Sequence, residues 1–219
     1  MEYYECLEGI SASFIGDSLF GGHSLGKEPT WIGLLSRKYK MNAQNYGLNG
    51  CTLSACEGGA NPIVVRYSEM EDNDPDIVVF EGGRNDYNKG AQLGDVESGD
   101  KTTFKGALGA LVQGLREKYP RAVIIGVTFW KVNPRENTIG LPCSAYTDAM
   151  LEVCRELSVP CIDATAEEET LIAMTDPEFR REFSLVPGDV CHLNERGMER
   201  ALPFFERRIA EIYSEIKKK

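Results

Sequence analysis

The sequence lacks the features that define several protein classes. It has no apolar run near the roughly 18 residues that a membrane span needs, no internal repeat and no low-complexity stretch. Its seven cysteines contain no Cys-x-x-Cys pair and no spacing typical of a zinc site. We expect them to be reduced, partly buried thiols, with no metal bound. Histidine is also scarce, since there are only two.

Positive charge is in deficit as well. The chain has 34 acidic and 24 basic side chains and a formal net charge of −10. This balance disfavours nucleic acid as a partner, because such binding rests largely on neutralisation of phosphates by Lys and Arg. The first nine residues carry three glutamates and no basic cluster, and the apolar run at 10–15 is too short for a signal-peptide core. We therefore expect a cytoplasmic protein, with a removed secretion signal as the alternative.

Apolar runs alternate with amphipathic segments along the chain, a pattern typical of parallel strands joined by crossover helices. The runs within 76–81 and 122–129 are continuously apolar, as in strands that are covered on both faces. The predicted strands are 10–15, 42–46, 76–81, 122–129 and 160–163, and the predicted helices are 31–39, 62–70, 104–118, 144–157 and 194–216. The sequence thus predicts an α/β fold with a five-stranded parallel sheet, in a single domain spanning 1–219.

The first predicted strand runs directly into Gly16, Asp17 and Ser18. The carboxyl ends of the strands are where an α/β sheet displays its ligand groups. A glycine permits a tight turn there, which would leave the Ser18 hydroxyl facing the crevice and its N–H available to a substrate oxygen. The same residues also suit an ordinary turn in which Ser18 caps a helix. The motif alone does not decide between these two interpretations.

A pair of residues before the last predicted helix offers a base for such a serine. Asp189 and His192 are three positions apart, so the carboxylate can reach Nδ1 and leave Nε2 to accept the serine proton. The other histidine, His23, lacks a nearby downstream carboxylate. The third predicted strand ends close to Asn85, whose side-chain amide is a known type of oxyanion donor.

These blocks, in this order, resemble those of the GDSL-type esterases and lipases, also called SGNH hydrolases, over nearly the whole chain. The resemblance implies a flavodoxin-like three-layer α/β/α sandwich and a serine esterase mechanism without a cofactor. It implies Ser18 as the nucleophile, His192 as the base and Asp189 as the acid that orients it. The N–H of Ser18, Gly50 and Asn85 would form the oxyanion hole.

One of these assignments leaves two candidates. The loop after the second predicted strand contains both Gly47 and Gly50, and either could supply the backbone N–H; a plain turn is the further alternative. Gly50 is preferred because the family places its glycine second in an Asn-x-x-x-Gly-like loop.

Two competing motifs overlap the serine region. Residues 22–26 form a literal Gly-x-Ser-x-Gly, which would make Ser24 the nucleophile, but such an elbow follows a strand directly and has several strands upstream. Residues 21–27 form the start of a phosphate-binding loop, but Glu28 stands where a hydroxyl for Mg²⁺ is needed. A loop bordering the active site is the favoured interpretation.

Substrate contacts are predicted at Asp17, Arg84 and Tyr87. The polar segment 87–103 is expected to border the pocket and to present Tyr87, Asn88 or Lys89 to the alcohol part of an ester, with a solvated loop as the alternative.

The absence of a long apolar lid favours a short acyl group, such as acetyl, on a small-molecule or carbohydrate ester. Lysophospholipid or thioester cleavage, acyl transfer and a non-catalytic carbohydrate-binding module on the same fold stay open. The sequence does not indicate the oligomeric state.

Overall fold

The structure is a computed structural model that describes residues 3–132 and 135–218. Residues 1, 2, 133, 134 and 219 of the predicted 1–219 domain lie outside the described residues. Five parallel strands form one sheet in the order β2-β1-β3-β4-β5, which is the flavodoxin-like order. The strands are β1 Ser11–Ile15, β2 Asn42–Asn45, β3 Ile77–Glu81, β4 Val123–Val127 and β5 Cys161–Ile162. The predicted α/β fold with five parallel strands is confirmed, and each strand is one to three residues shorter than predicted.

The helices form two packed groups. One group joins α2 to α9, and the other joins α5 to α3 and α6. The helices are α1 Ser18–Gly21, α2 Trp31–Tyr39, α3 Ile63–Arg66, α4 Arg84–Lys89, α5 Phe104–Lys118, α6 Ser144–Glu156, α7 Glu167–Thr170, α8 Pro177–Phe183 and α9 Glu195–Lys217. Among the described residues, none of these helices is long and apolar enough to cross a bilayer.

The predicted helix at 62–70 is the main difference. The α-helical part is only the single turn α3, and the chain continues as a 3₁₀ turn, Tyr67–Glu69. The ring of Tyr67 packs onto Gly114 of α5, where a Cβ would approach the Tyr67 hydroxyl to 2.2 Å. The short helices α1, α4, α7 and α8 were not predicted, because three or fewer turns give little periodicity to read.

The central strands carry the core. All residues of β3 are buried, and the apolar ones have no exposed surface. On one side, Trp31 of α2 stacks on Phe205 of α9 with ring centroids 4.2 Å apart, and meets Phe14 and Phe20 edge-on. Because the strands are parallel, the segments that follow β1, β3 and β4 emerge at the same edge of the sheet.

Candidate active site

Ser18, His192 and Asp189 form a continuous hydrogen-bonded chain at this edge. Ser18 Oγ lies 2.8 Å from Nε2 of His192. Nδ1 of His192 lies 2.9 Å from Oδ2 of Asp189. Ser18 and His192 are 174 positions apart in the sequence. The fold brings the three residues together in the order that a nucleophile, a base and an orienting acid require.

Asp189 is itself held by the backbone that follows it. Its Oδ1 accepts the N–H groups of Cys191 and His192, each at 2.8 Å. Burial opposes the charge of this carboxylate, but those N–H groups and His192 outweigh it and keep the pKa of Asp189 below its ordinary value. The carboxylate therefore remains ionised at neutral pH and fixes the proton of the neutral imidazole on Nδ1.

Burial also acts on the pKa of His192. Desolvation lowers the pKa of His192, and Asp189 only partly offsets that effect. The imidazole is therefore neutral at pH 7, as a general base must be before it accepts the serine proton.

The loop that carries His192 is fastened by a residue that the sequence analysis missed. The indole Nε1 of Trp130, just after β4, donates to the carbonyl oxygen of Cys191 at 2.7 Å. On the other side, Ser184 Oγ donates to the carbonyl oxygen of Asp189 at 2.9 Å. Trp130 lies 61 residues from Cys191, so no local pattern could have indicated the contact.

Ser18 is the first residue of α1. Asp17 is the N-cap of this helix, and its Oδ1 accepts the N–H of Leu19 at 2.8 Å. Gly16 is required by crowding, since a Cβ there would lie 2.8 Å from Oε2 of Glu81 and 2.9 Å from the ring of Phe20. Within the described residues the N–H of Ser18 has no acceptor, as expected in the first turn of a helix.

The two candidate glycines play different parts. Gly47 is buried, and its N–H donates to Oδ1 of Asn45 at 2.8 Å. A Cβ on Gly47 would come within 2.4 Å of the Gly21 nitrogen, so this glycine serves close packing against α1. Gly50 is exposed and has φ +74°, and its N–H has no acceptor among the described residues. Only Gly50 thus offers a free donor.

The turn that contains Gly50 lies beside the turn at Gly16, Asp17 and Ser18. The N–H of Cys51 closes it onto the Leu48 carbonyl at 3.4 Å, and the N–H of Leu48 donates to the Gly16 carbonyl at 3.0 Å. The free N–H groups of Gly50 and Ser18 therefore belong to two adjoining turns.

The side-chain amide of Asn85, in α4, lies between these two turns, and its hydrogens already have acceptors. Its Nδ2 donates to Oδ2 of Asp17 at 3.0 Å and to the carbonyl oxygen of Cys51 at 2.9 Å. An amide nitrogen carries two hydrogens, so both are engaged here. An oxyanion would have to share or replace one of these acceptors.

Three buried carboxyl groups lie beneath these turns. Asp17, Glu81 and Asp86 are each at most 1% exposed. Asp86 anchors the next loop by accepting the N–H groups of Leu53 at 2.7 Å and Ser54 at 2.9 Å. Burial raises the pKa of Asp17 to about 6 and that of the adjacent Glu81 well above its ordinary value, and the charge of Asp17 raises the pKa of Glu81 further. The pair therefore holds a proton more readily than ordinary carboxyl groups do.

Two of the predicted substrate contacts, Asp17 and Tyr87, are buried and have partners within the protein. Asp17 is fully buried, and its two oxygens accept hydrogen bonds from Leu19 and Asn85, so it holds these two groups in place. Tyr87 is 7% exposed, and its hydroxyl donates to the carbonyl oxygen of Arg135 at 2.7 Å. The sequence could not show either outcome, because both depend on which side of a turn or helix faces the core. Arg84, half-buried at the start of α4, stays available.

Part of the segment 87–103 packs along α5. The N–H groups of Phe104 and Lys105 donate to the carbonyls of Gln92 and Leu93, and Val96 fills the space over Gly109. Asn88 accepts from Arg84, and Lys89 is exposed at the end of α4.

The loop at 21–26 does border the triad. It contains the 3₁₀ turn His23–Leu25, and the ring centroid of His23 lies 4.5 Å from that of His192. Ser24 is exposed and does not follow a strand. Lys27 donates to the carbonyl oxygen of Asn45 at 2.6 Å, which gives it a structural partner in place of a phosphate.

In the described part of the chain, no three His, Cys, Asp or Glu side chains are grouped so that they could hold a metal ion. The seven cysteines are free thiols.

The chain matches the sequence model of the GDSL-like Lipase/Acylhydrolase family over residues 14–200. Since this match spans most of its length, the chain belongs to that family and is an ester hydrolase by class. No curated protein matches the sequence significantly.

Solved structures share the fold. A protein from Lactobacillus plantarum is 21% identical, with a TM-score of 0.82 over 93% of this chain and 98% of that one. A possible lipase from Chitinophaga pinensis is 15% identical, with a TM-score of 0.72 over 96% of this chain and 100% of that one. A carbohydrate acetylesterase family member from Sinorhizobium meliloti is 16% identical, with a TM-score of 0.62 over 94% of this chain and 99% of that one. At these identities the comparison shows the shared fold.

Proposed function

We propose that this ester hydrolase works through an acyl-enzyme on Ser18. The observation that carries the proposal is the unbroken hydrogen-bonded chain from Ser18 Oγ through both ring nitrogens of His192 to Asp189. A binding module would have no use for a neutral imidazole that is fixed in one tautomer and directed at a serine hydroxyl.

Acylation begins with proton transfer from Ser18 Oγ to Nε2 of His192 as the oxygen attacks the ester carbonyl carbon. The carbonyl oxygen becomes an oxyanion, and the imidazolium is stabilised by Asp189. The intermediate then collapses: the bond to the alcohol oxygen breaks, and that oxygen takes the proton from Nε2. The products of this half-reaction are the free alcohol and acyl-Ser18.

Deacylation repeats these steps with water. His192 removes a proton from the water as it attacks the acyl carbon, and it then returns the proton to Ser18 Oγ. An alcohol in place of water would give acyl transfer by the same residues, so hydrolysis and transfer differ only in the acceptor.

The oxyanion is assigned to the two free backbone donors, the N–H groups of Ser18 and Gly50, with the Asn85 amide as third donor. Asn85 contributes by releasing or sharing the acceptor at Cys51, while Asp17 keeps the amide in place. Loss of one such donor typically costs on the order of 10²–10³ in kcat.

For the substrate we propose short acyl esters, such as acetate esters of small molecules or carbohydrates. The structural neighbour from Sinorhizobium meliloti is described as a carbohydrate acetylesterase family member, which supports this choice. Lysophospholipid and thioester cleavage are the alternatives within the family.

The test is hydrolysis of p-nitrophenyl esters from acetyl to dodecanoyl by wild type, Ser18→Ala and Ser24→Ala. The second variant is the matched control, because it removes a nearby exposed serine hydroxyl outside the triad. We expect turnover of short esters that is lost only in Ser18→Ala. Loss only in Ser24→Ala would contradict the assigned nucleophile, and absence of turnover across the series would favour a non-catalytic module.

A further inference from the structure

His23 is one of the two histidines in the chain, and the fold places it against the other one, His192. The ring centroids lie 4.5 Å apart, and the ring planes are inclined by 42°. Within residues 3–132 and 135–218, the hydrogen bonds of histidine rings are those of His192 alone. The His23 ring therefore contacts the proposed base without being held there by a hydrogen bond of its own.

The backbone brings His23 to this position. Gly22 is the C-cap of α1 with φ +77°, and its N–H donates to the Ser18 carbonyl at 2.8 Å. His23 follows with φ +49°, in the left-handed region that is uncommon for residues other than glycine. Since a side chain held in such a conformation beside an active site often has a functional reason, we looked for one at His192.

Other residues anchor the loop that carries His23. A Cβ on Gly22 would lie 2.1 Å from the Gly26 carbonyl oxygen and 2.8 Å from the methyl group of the buried Thr30. The N–H of Leu25 donates to the Gly22 carbonyl at 2.9 Å, and the Leu25 side chain packs against the core. His23 itself is exposed. We therefore expect the loop to keep its place when the His23 ring is removed.

The two hydrogen bonds of His192 leave one motion of its ring weakly restrained. Nε2 faces Ser18 Oγ and Nδ1 faces Asp189, so both bonds are made at the edge of the ring. Such bonds fix the ring within its plane, but they tolerate tilting out of it, because a hydrogen bond weakens steeply only below about 120°. A second ring packed on the face of the imidazole opposes that tilt.

This restraint matters most in the acyl-enzyme. Once Ser18 Oγ carries the acyl group, it has no proton to donate to Nε2, and His192 keeps only its bond to Asp189. Deacylation still requires Nε2 to lie within hydrogen-bond reach of the attacking water. The face contact with His23 does not depend on the serine proton, so it persists through this step.

We propose that His23 is a positioning residue for the reaction: its ring packs against His192 and holds the base in place, above all while Ser18 is acylated. The inference rests on the proposed function and deepens it. His23 exchanges no proton with the substrate and acts only through His192.

Two other roles for His23 lead to different results. A bystander on an exposed loop would affect neither kcat nor the titration of His192. A residue that contacts only the substrate would change KM and leave the titration of His192 in the free enzyme as it is. The base is therefore observed both during turnover and without substrate.

The kinetic test uses three variants with p-nitrophenyl acetate. His23→Asn removes the ring, and asparagine is among the residues that best tolerate the left-handed backbone. His23→Phe keeps a ring in the same place. Ser24→Ala is the matched control, because Ser24 is the exposed neighbour in the same 3₁₀ turn. Steady-state rates, melting temperatures and the fraction of acetyl-Ser18 in enzyme quenched during turnover, measured by mass spectrometry, are compared with wild type.

We expect kcat to fall about ten- to hundredfold in His23→Asn, which is part of the roughly 10²–10⁴ that a positioned general base contributes. Acetyl-Ser18 should accumulate, because deacylation is slowed more than acylation. His23→Phe should recover most of kcat, and Ser24→Ala should match wild type. Wild-type kcat in His23→Asn, a lower kcat without more acetyl-Ser18, or an equal loss in His23→Phe at an unchanged melting temperature would overturn the proposal.

A measurement without substrate separates this inference from the proposed chemistry. With two histidines in the chain, the imidazole NMR signals that remain in His23→Asn belong to His192, and wild type should show a nuclear Overhauser effect between the two rings. Burial lowers the pKa of His192 and Asp189 raises it, while the charges of His23 and Arg84 lower it. Removal of the His23 ring uncovers His192 and removes one of these charges, so its titration midpoint should rise. An absent Overhauser effect or an unchanged midpoint would overturn the proposal, whether or not wild type hydrolyses the ester.

Discussion

Asp17→Asn tests whether this buried residue acts through Asn85. The two oxygens of Asp17 accept from two donors, the N–H of Leu19 at 2.8 Å and Nδ2 of Asn85 at 3.0 Å. Asparagine at position 17 has only one oxygen for these two donors. In either orientation of the new amide, two donor groups face each other and one hydrogen bond is lost.

The expected cost follows from what each donor supports. If the bond to Asn85 is lost, its amide no longer points at the oxyanion, and kcat should fall by about 10²–10³, equivalent to roughly 3–4 kcal/mol. If the bond to Leu19 is lost, α1 loses its N-cap, which costs about 1 kcal/mol of stability and displaces Ser18. KM should change little, because the oxyanion exists only after attack.

The assay is steady-state hydrolysis of p-nitrophenyl acetate, with the melting temperature as a folding check. Asp163→Asn is the matched control, because Asp163 makes the same turn after β5, accepting the N–H two residues on, but is exposed. In an Asn85→Ala background, Asp17→Asn should cost only about threefold more, since coupled residues are not additive. Wild-type kcat in Asp17→Asn, or an unreduced loss in the Asn85→Ala background, would refute the reasoning.

Three further predictions concern the surroundings of the triad. Trp130→Phe removes the donor to the Cys191 carbonyl, so it should lower kcat and should also lower the free energy of unfolding by about 1–3 kcal/mol. Steady-state kinetics measures kcat, and urea denaturation measures the free energy of unfolding. Unchanged values of both would show that Trp130 does not hold the loop. Because burial lowers the pKa of His192, kcat/KM should rise with pH through a midpoint below about 6.5 and stay level above it; a pH-rate profile with a midpoint above neutrality would contradict this. Since the pKa values of Asp17 and Glu81 are raised in the fold, the folded state binds more protons than the unfolded state, and wild-type stability falls as pH rises from the ordinary carboxyl range through their folded values. Glu81→Gln should make this decline shallower in melting curves taken from weakly acidic to alkaline pH, and a parallel decline would argue against proton retention by Glu81.

The fold and the approximate location of the site were accessible from the sequence. Continuous apolar runs identified β3 and β4, because a strand covered on both faces has no polar side to show. The segment after β1 carried Ser18, and the pair Asp189 and His192 had a spacing that the structure brings into hydrogen-bond range of Ser18.

Other features depended on contacts between distant segments. The choice between Gly47 and Gly50 depends on which N–H group already has an acceptor. The N–H of Gly47 donates to Asn45, and Gly47 packs closely against α1. The indole of Trp130, just after β4, donates to the loop that carries His192, and the hydroxyl of Tyr87 donates to a backbone carbonyl. Such roles follow from packing in three dimensions, which a residue pattern along one chain does not encode.

The central claim is that Ser18 is the nucleophile activated by His192. The most direct measurement is covalent labelling with a serine-reactive fluorophosphonate, followed by peptide mass spectrometry on wild type, His192→Ala and Ser24→Ala. The account predicts one adduct, on Ser18, that disappears in His192→Ala and persists in Ser24→Ala. An adduct on another serine, or labelling of Ser18 that does not depend on His192, would contradict it.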